Sequence, residues 1–402
     1  MIRFGPSGIP LSCKGRTLED GIEDVHNLGL SALEVQLVRV NAEERPASDE
    51  EAGLRLRDLV GELVVDLRRD KPAGLDTIIE KGDTLLSLTS TSGIAKDYGE
   101  LAALGALARD LDVELSLHAP YYMDLADVDG LAAKSINSIR WGGLLAEAME
   151  ARVVSTHLGL FGNLEPKEAL KRAAANLRVA RDAFKALKIH PYLGIESSGR
   201  QEVLGSLEDL LTLAKEAKGV VPVINFAHAH ARSNGSLREM GDFTSLMASI
   251  AKVSPGGRLH THFSGVEHEA GNELRYTPIK KGDLRFEPLA EALLESDLEI
   301  TLISSSPLLE HDAMYMKVIL ERILAKQITR ASRPPEEIAA ERELAAAAAA
   351  PAVPAPKTVK AVPVKPKPKA KAKAKPKPKA KAKAKKAANR PKPKPKKKKG
   401  KR

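Results

Sequence analysis

Six of the ten histidines in this chain stand where a short apolar run ends. His118 closes VELSLH, His157 closes RVVSTH, His228 and His230 follow VVPVINF, and His260 and His262 lie in RLHTHFS. Glu196 closes YLGIE in the same way. Imidazole and carboxylate suit Zn²⁺, Mn²⁺ or Fe²⁺, and the absence of thiolates among them argues against a structural zinc. One histidine at a strand end is commonly a hydrogen-bonded rim residue. Six of them, with a glutamate among them, point to a metal site. The i, i+2 pairs need separate treatment. On an extended strand both members face the same way, so His262 should reach the site and His260 should lie one layer deeper. In HAHA the chain is leaving its strand, which makes His228 the favoured ligand and His230 a further candidate.

These residues meet only if the elements bearing them converge. Short β-type runs (MIRFG, SALEVQLV, VELSLHA, RVVSTHL, YLGIES, VVPVINFA, RLHTHFS, LEITLISS) alternate with helix-type stretches such as PKEALKRAAANLRVARDAFKALK. Eight strands alternating with helices predict parallel βα units closed into a (β/α)₈ TIM barrel. Its site lies at the carboxyl ends of the strands. Residues 45–95 break this rhythm with extra material whose place the pattern does not assign.

Charge divides the chain. From Ala345 onward there are 23 Lys and Arg and no Asp or Glu, so the preceding residues hold 40 basic and all 53 acidic groups, a net charge of −13. An acidic body thus precedes a Lys/Pro/Ala-rich tail. Proline every few residues prevents a continuous helix there, and like charges repel. The expected organisation is a barrel over residues 1–330, a linker over 331–344 and a disordered, extended tail over 345–402. Cys13 is the sole cysteine, so no intrachain disulfide forms. The N-terminus lacks an apolar run of signal-peptide length, and no stretch is long enough to span a membrane. A cytoplasmic monomer is expected.

The segments resemble the endonuclease IV family of apurinic/apyrimidinic endonucleases, within the xylose isomerase-like barrels, over roughly residues 1–330. LHAPYYMDL is similar to a motif in which a histidine ligand precedes a tyrosine that packs into the DNA minor groove, which carries over to His118 and Tyr121. STHLG resembles the next histidine motif (His157), and GIESSGRQEVLGS the motif of the bridging glutamate (Glu196). VINFAHA resembles an Ile-Asp-x-x-His motif, giving His228 with Asn225 in the place of Asp, and LHTHFSG gives His262. The family holds three metals. Here Leu274 and Tyr276 stand where an Asp-x-His pair is expected, and Ser304 or Ser305 where a second bridging carboxylate is expected.

The resemblance therefore implies a metal-dependent hydrolase, a phosphodiesterase cleaving abasic DNA, with one or two ions rather than three. Zn²⁺ is the expected ion and Mn²⁺ the alternative. The ligand set is His118, His157, Glu196, His228, His262 and Asn225. His230, His260, Glu267 and His268 are additional candidates, and Glu269 and Glu273 are further carboxylates in the seventh loop. Tyr121, Arg39 after the second strand, and the lysines from Lys357 onward are the expected DNA contacts, with the tail neutralising phosphates without reading sequence. Two other readings stay open: a sugar isomerase or epimerase on the same barrel, which normally needs two carboxylates, and a non-catalytic DNA-binding protein.

Overall fold

The computed structural model describes residues 1–38, 40–88 and 94–332. Arg39, most of the expected linker and the whole Lys-rich tail lie outside the described residues.

Eight parallel strands form a nearly closed barrel: β1 (Ile2–Pro6), β2 (Ala32–Gln36), β6 (Glu114–His118), β7 (Val153–Thr156), β8 (Tyr192–Glu196), β9 (Val220–Asn225), β10 (Leu259–Phe263) and β13 (Ile300–Ser304). They are ordered β1-β13-β10-β9-β8-β7-β6-β2. All eight expected runs are barrel strands, and the TIM-barrel expectation is met. The two end strands, β1 and β2, meet through a bridge between Ser7 and Glu34. Gly5 permits that approach, since a Cβ there would come 1.7 Å from the Ala32 carbonyl oxygen.

Nine helices are present among the described residues: α1 (Leu18–Asn27), α2 (Tyr98–Asp110), α3 (Leu131–Ala148), α4 (Pro166–Ala186), α5 (Leu207–Glu216), α6 (Phe226–Arg232), α7 (Met240–Ala251), α8 (Glu287–Glu295) and α9 (Glu310–Ala331). Local chemistry fixes several starts. Thr17 with Asp20, and Ser206 with Asp209, form reciprocal caps that satisfy first-turn N–H groups, and Pro166 opens α4 where no N–H is needed. No described helix is long and apolar enough to cross a membrane.

Two insertions leave the βα rhythm. The irregular region after β2 contains β3 (Ala42–Pro46), β4 (Leu63–Leu67) and β5 (Thr84–Leu88), an antiparallel sheet in the order β3-β5-β4. It has a small core of its own, Leu56, Leu59, Val64, Leu67, Ala73, Ile79 and Leu85. Tyr98 of α2 donates to the Val64 carbonyl at 2.9 Å, and Arg140 of α3 pairs with Asp66. The second insertion follows β10: the antiparallel hairpin of β11 (Gly265–Glu269) and β12 (Asn272–Thr277).

Candidate metal centre

Glu196 is the hub. It ends β8, its carboxylate is 2% exposed, and histidines from four segments surround it. One oxygen, Oε2, lies 2.6 Å from His118 Nε2 and 3.7 Å from His157 Nδ1. The other, Oε1, lies 3.5 Å from His262 Nδ1 and 3.6 Å from His228 Nε2. A single carboxylate thus faces two pairs of imidazoles. His118, His157 and Glu196 offer ligand atoms that all lie within 4.8 Å of one another.

Three of the four rings are aimed by their other nitrogen. His118 Nδ1 donates to the Ala119 carbonyl at 2.7 Å, which turns Nε2 toward Glu196. His262 Nε2 meets Glu34 Oε2 at 3.0 Å, which leaves Nδ1 for Glu196 and for the Ser305 hydroxyl at 3.0 Å. His228 Nδ1 meets Glu273 Oε2 at 2.5 Å. Carboxylates behind metal-binding imidazoles fix their tautomer and raise their basicity. Gly199 makes room for the last pair, because a Cβ there would be 2.6 Å from Glu273 Oε2 and 2.9 Å from His228 Nδ1.

The electrostatics follow from burial and from these partners. Burial alone would raise the Glu196 pKa, but His262, His157 and His118 outweigh it and hold the carboxyl well below its usual range. Burial also opposes a charge on His118, yet its bond to Glu196 lifts the ring to about 9. His157 is pushed down to about 4, chiefly by burial. The pocket is therefore built around an ionised carboxylate with a positive charge beside it, held by a proton on His118 that a divalent ion could replace. The donor set fits a divalent transition ion.

Five of the candidate ligands take other roles: Asn225, His230, His260, Glu267 and His268. Asn225 ends β9 and caps α6: its Oδ1 accepts from the Ala227 N–H at 3.1 Å, and its Nδ2 donates to Glu196 Oε1 at 3.0 Å. A backbone N–H can only donate, so the amide oxygen must face the helix and the NH₂ must face the site. The residue expected to ligate through oxygen thus presents a donor to the centre. His228 and His230 sit on α6 rather than on a strand. Residues two apart on a helix point about 200° apart, so His228 faces Glu196 while His230 faces away. It joins His268 and Asp283 instead. His260 lies one layer deeper, as expected, 3.3 Å from Glu34. Glu267 pairs with Arg275 on the hairpin surface at 2.8 Å.

The positions expected to lack ligands are filled differently. Leu274 is exposed. The Tyr276 hydroxyl lies 2.9 Å from His228 Nε2 and accepts from Asn225 Nδ2 at 2.8 Å. It occupies the space beside His228 with a neutral group. Ser304 is buried without a hydrogen-bond partner for its hydroxyl. Tyr121, just beyond β6, is 74% exposed and stands edge-on to Tyr122, with ring centroids 5.5 Å apart.

Glu34 and Asp283 are the residues that sequence reasoning missed. A signal existed for Glu34, a charged residue in the middle of the apolar run SALEVQLV. Its carboxylate is fully buried, with Ser7 and Gln36 donating to Oε1 at 3.3 and 2.9 Å. No comparable signal marks Asp283, which lies in a polar loop.

Comparison with known proteins agrees with this architecture. The model of a family described as xylose isomerase-like TIM barrel matches residues 81–307. An uncharacterised protein of Methanocaldococcus jannaschii is 27% identical over 226 residues, covering 55% of this chain and 78% of that protein. Among solved structures, endonuclease IV from Thermus thermophilus is similar with 18% identity and a TM-score of 0.51, over 79% of this chain and 99% of that one. A D-tagatose 3-epimerase-like protein is similar with 17% identity and a TM-score of 0.53, over 82% of this chain and 100% of that one. At such identities the likeness is one of fold.

Proposed function

Because the chain belongs to the xylose isomerase-like TIM barrel family, whose members work at the carboxyl-end mouth, we propose that it is a metal-dependent phosphodiesterase of the endonuclease IV type, cleaving DNA at abasic sites. The carrying observation is the arrangement around Glu196, with His118 and His157 on one oxygen and His262 and His228 on the other. One or two ions fit this set. The first would be held by His118, His157 and Glu196. A second would take His262, His228 and the other oxygen of Glu196. Zn²⁺ suits these donors, and Mn²⁺ is the alternative. When bound, such an ion supplies Lewis acidity, acidifying water and neutralising charge on a phosphate.

The protein's own groups set the stage for that chemistry. Glu34 and Glu273 hold His262 and His228 in single tautomers. Asn225 and Tyr276 hold the space next to His228 with neutral donors, which keeps a third cation out. Tyr121 offers an exposed aromatic face beside the mouth. The lysines of the tail, from Lys357 onward, would neutralise phosphates of any duplex.

A sugar epimerase is the competing activity, and the D-tagatose 3-epimerase-like neighbour shares the fold. Against it stands the commitment of the other nearby carboxylates: Glu34 and Glu273 are each bonded to histidines. The deciding experiment is a nicking assay on a duplex with one abasic site, run beside a ketose epimerisation assay, with metal-loaded full-length protein. Nicking lost in Glu196→Gln supports the proposal. Epimerisation without nicking overturns it.

A further inference from the structure

We infer that His230, His268 and Asp283 form a second metal site, separate from the Glu196 centre, that binds a divalent transition ion, Zn²⁺ by preference. The three residues come from α6, from β11 and from the loop before α8. Their ligand atoms lie within 4.8 Å of one another. His230 Nε2 and His268 Nε2 approach the same oxygen, Asp283 Oδ1, at 3.1 and 3.3 Å.

Those separations match the spacing of ligand atoms around an ion. Atoms bound at about 2.0–2.1 Å to a tetrahedral zinc stand roughly 3.3 Å apart. Among the buried histidine–carboxylate pairs of this chain, His118–Glu196 and His228–Glu273 close to 2.6 and 2.5 Å, while Glu34 stands 3.0 and 3.3 Å from His262 and His260. Neither ring has other business: the Nδ1 atoms of His230 and His268 are both buried and without a hydrogen-bond partner. The polar chemistry of both imidazoles is thus concentrated at the nitrogen aimed at Asp283. Arg238 reaches only the outer oxygen, Oδ2, at 3.4 Å, which leaves Oδ1 to the two rings. Two imidazoles and one carboxylate are a donor set for zinc. Asp283 is 44% exposed, so water can complete the coordination.

The site has a structural consequence. β11 carries His268, and β12 of the same hairpin carries Glu273 and Tyr276, the two groups that hold His228. An ion joining His268 to His230 ties the hairpin to α6, the helix that also bears His228. It fixes from outside the geometry that the hairpin imposes within the Glu196 centre.

The test uses full-length protein, stripped with chelator and titrated with Co²⁺, whose visible absorption reports low-coordinate binding. In a Glu196→Gln/His118→Ala background, which cripples the central set, one equivalent should still bind. Adding His268→Gln or Asp283→Asn should weaken that equivalent by at least the roughly 10- to 100-fold that loss of an orienting partner alone costs. Both substitutions are at partly exposed positions, and circular dichroism checks that the fold survives. In the otherwise unaltered protein, metal should also slow hydrogen exchange across residues 265–277, and His268→Gln should remove that protection. If Co²⁺ binding in the crippled background is absent, or is untouched by both substitutions, the three residues are only a hydrogen-bonded triad. Because the central set is disabled in the Co²⁺ titration, failure of the Glu196 centre to bind metal would not alter this outcome.

Discussion

Glu34 Oε2 lies 3.0 Å from His262 Nε2, with the two side chains 0% and 2% exposed. The partners are 228 residues apart in sequence. Burial opposes the charge on Glu34, but His262 and His260 hold it far below the carboxylate range. This pair decides which nitrogen of His262 faces Glu196. Glu34→Gln keeps the shape and removes the charge, so metal affinity at the centre should fall roughly 10- to 100-fold. Glu34→Ala removes one member of a buried pair and should cost about 3–5 kcal/mol of stability. Calorimetric metal titration and urea unfolding read the two effects. Wild-type affinity in Glu34→Gln would show that Glu34 does not orient His262.

Glu196→Gln should abolish tight binding at the centre, because the shared carboxylate loses its charge while four imidazoles still surround it. Elemental analysis should find the central metal gone. Nicking of an abasic duplex should drop by more than the roughly 100-fold seen when a supporting group is lost. Nicking that persists in the metal-depleted variant would place the chemistry elsewhere.

Tyr276 stands where the resemblance to endonuclease IV places a ligand, and its hydroxyl meets His228 Nε2 at 2.9 Å. Tyr276→Phe removes the hydroxyl shared by Asn225 and His228 and should cost about 1–3 kcal/mol through unsatisfied buried groups. Tyr276→His with Asn225→Asp adds an imidazole and a carboxylate beside His228. The double variant should bind one more ion per chain than the parent. An unchanged count would mean that the hydroxyl is not what excludes the extra ion.

Tyr121 is exposed, so Tyr121→Ala should leave the thermal midpoint unchanged. If its ring packs against DNA, affinity for an abasic duplex should weaken by about 1–3 kcal/mol, the range for a stacked aromatic. Fluorescence anisotropy with abasic and intact duplexes measures this. Equal binding by wild type and variant removes Tyr121 from the interface.

Truncation after Leu344 removes 23 positive charges and leaves an acidic body. Each neutralised phosphate adds about −0.9 to the slope of log K against log salt, so a third of the charges engaged gives roughly −7. The truncated protein should bind duplex DNA weakly at low salt and with a much shallower slope. The preference for abasic over intact duplex should be kept or improved. A salt titration showing identical slopes would assign the tail to another task.

Much of the barrel and the core of its site could be read from the sequence. Apolar runs separated by helical stretches are local patterns, and a residue ending such a run must sit at the barrel mouth. His118, His157 and Glu196 could be placed at the mouth on that ground alone, as could the deeper place of His260. The tertiary structure decided what local pattern does not encode. Whether FAHAHAR continues a strand or turns into a helix determines whether His228 and His230 share a site, and the cap supplied by Asn225 makes it a helix. The irregular region after β2 became a sheet because its strands pair across long loops. Glu34, Glu273 and Asp283 found their histidines only when distant segments came together. An ionisable side chain takes its role from the partners around it, and in a closed barrel those partners lie on strands tens or hundreds of residues away.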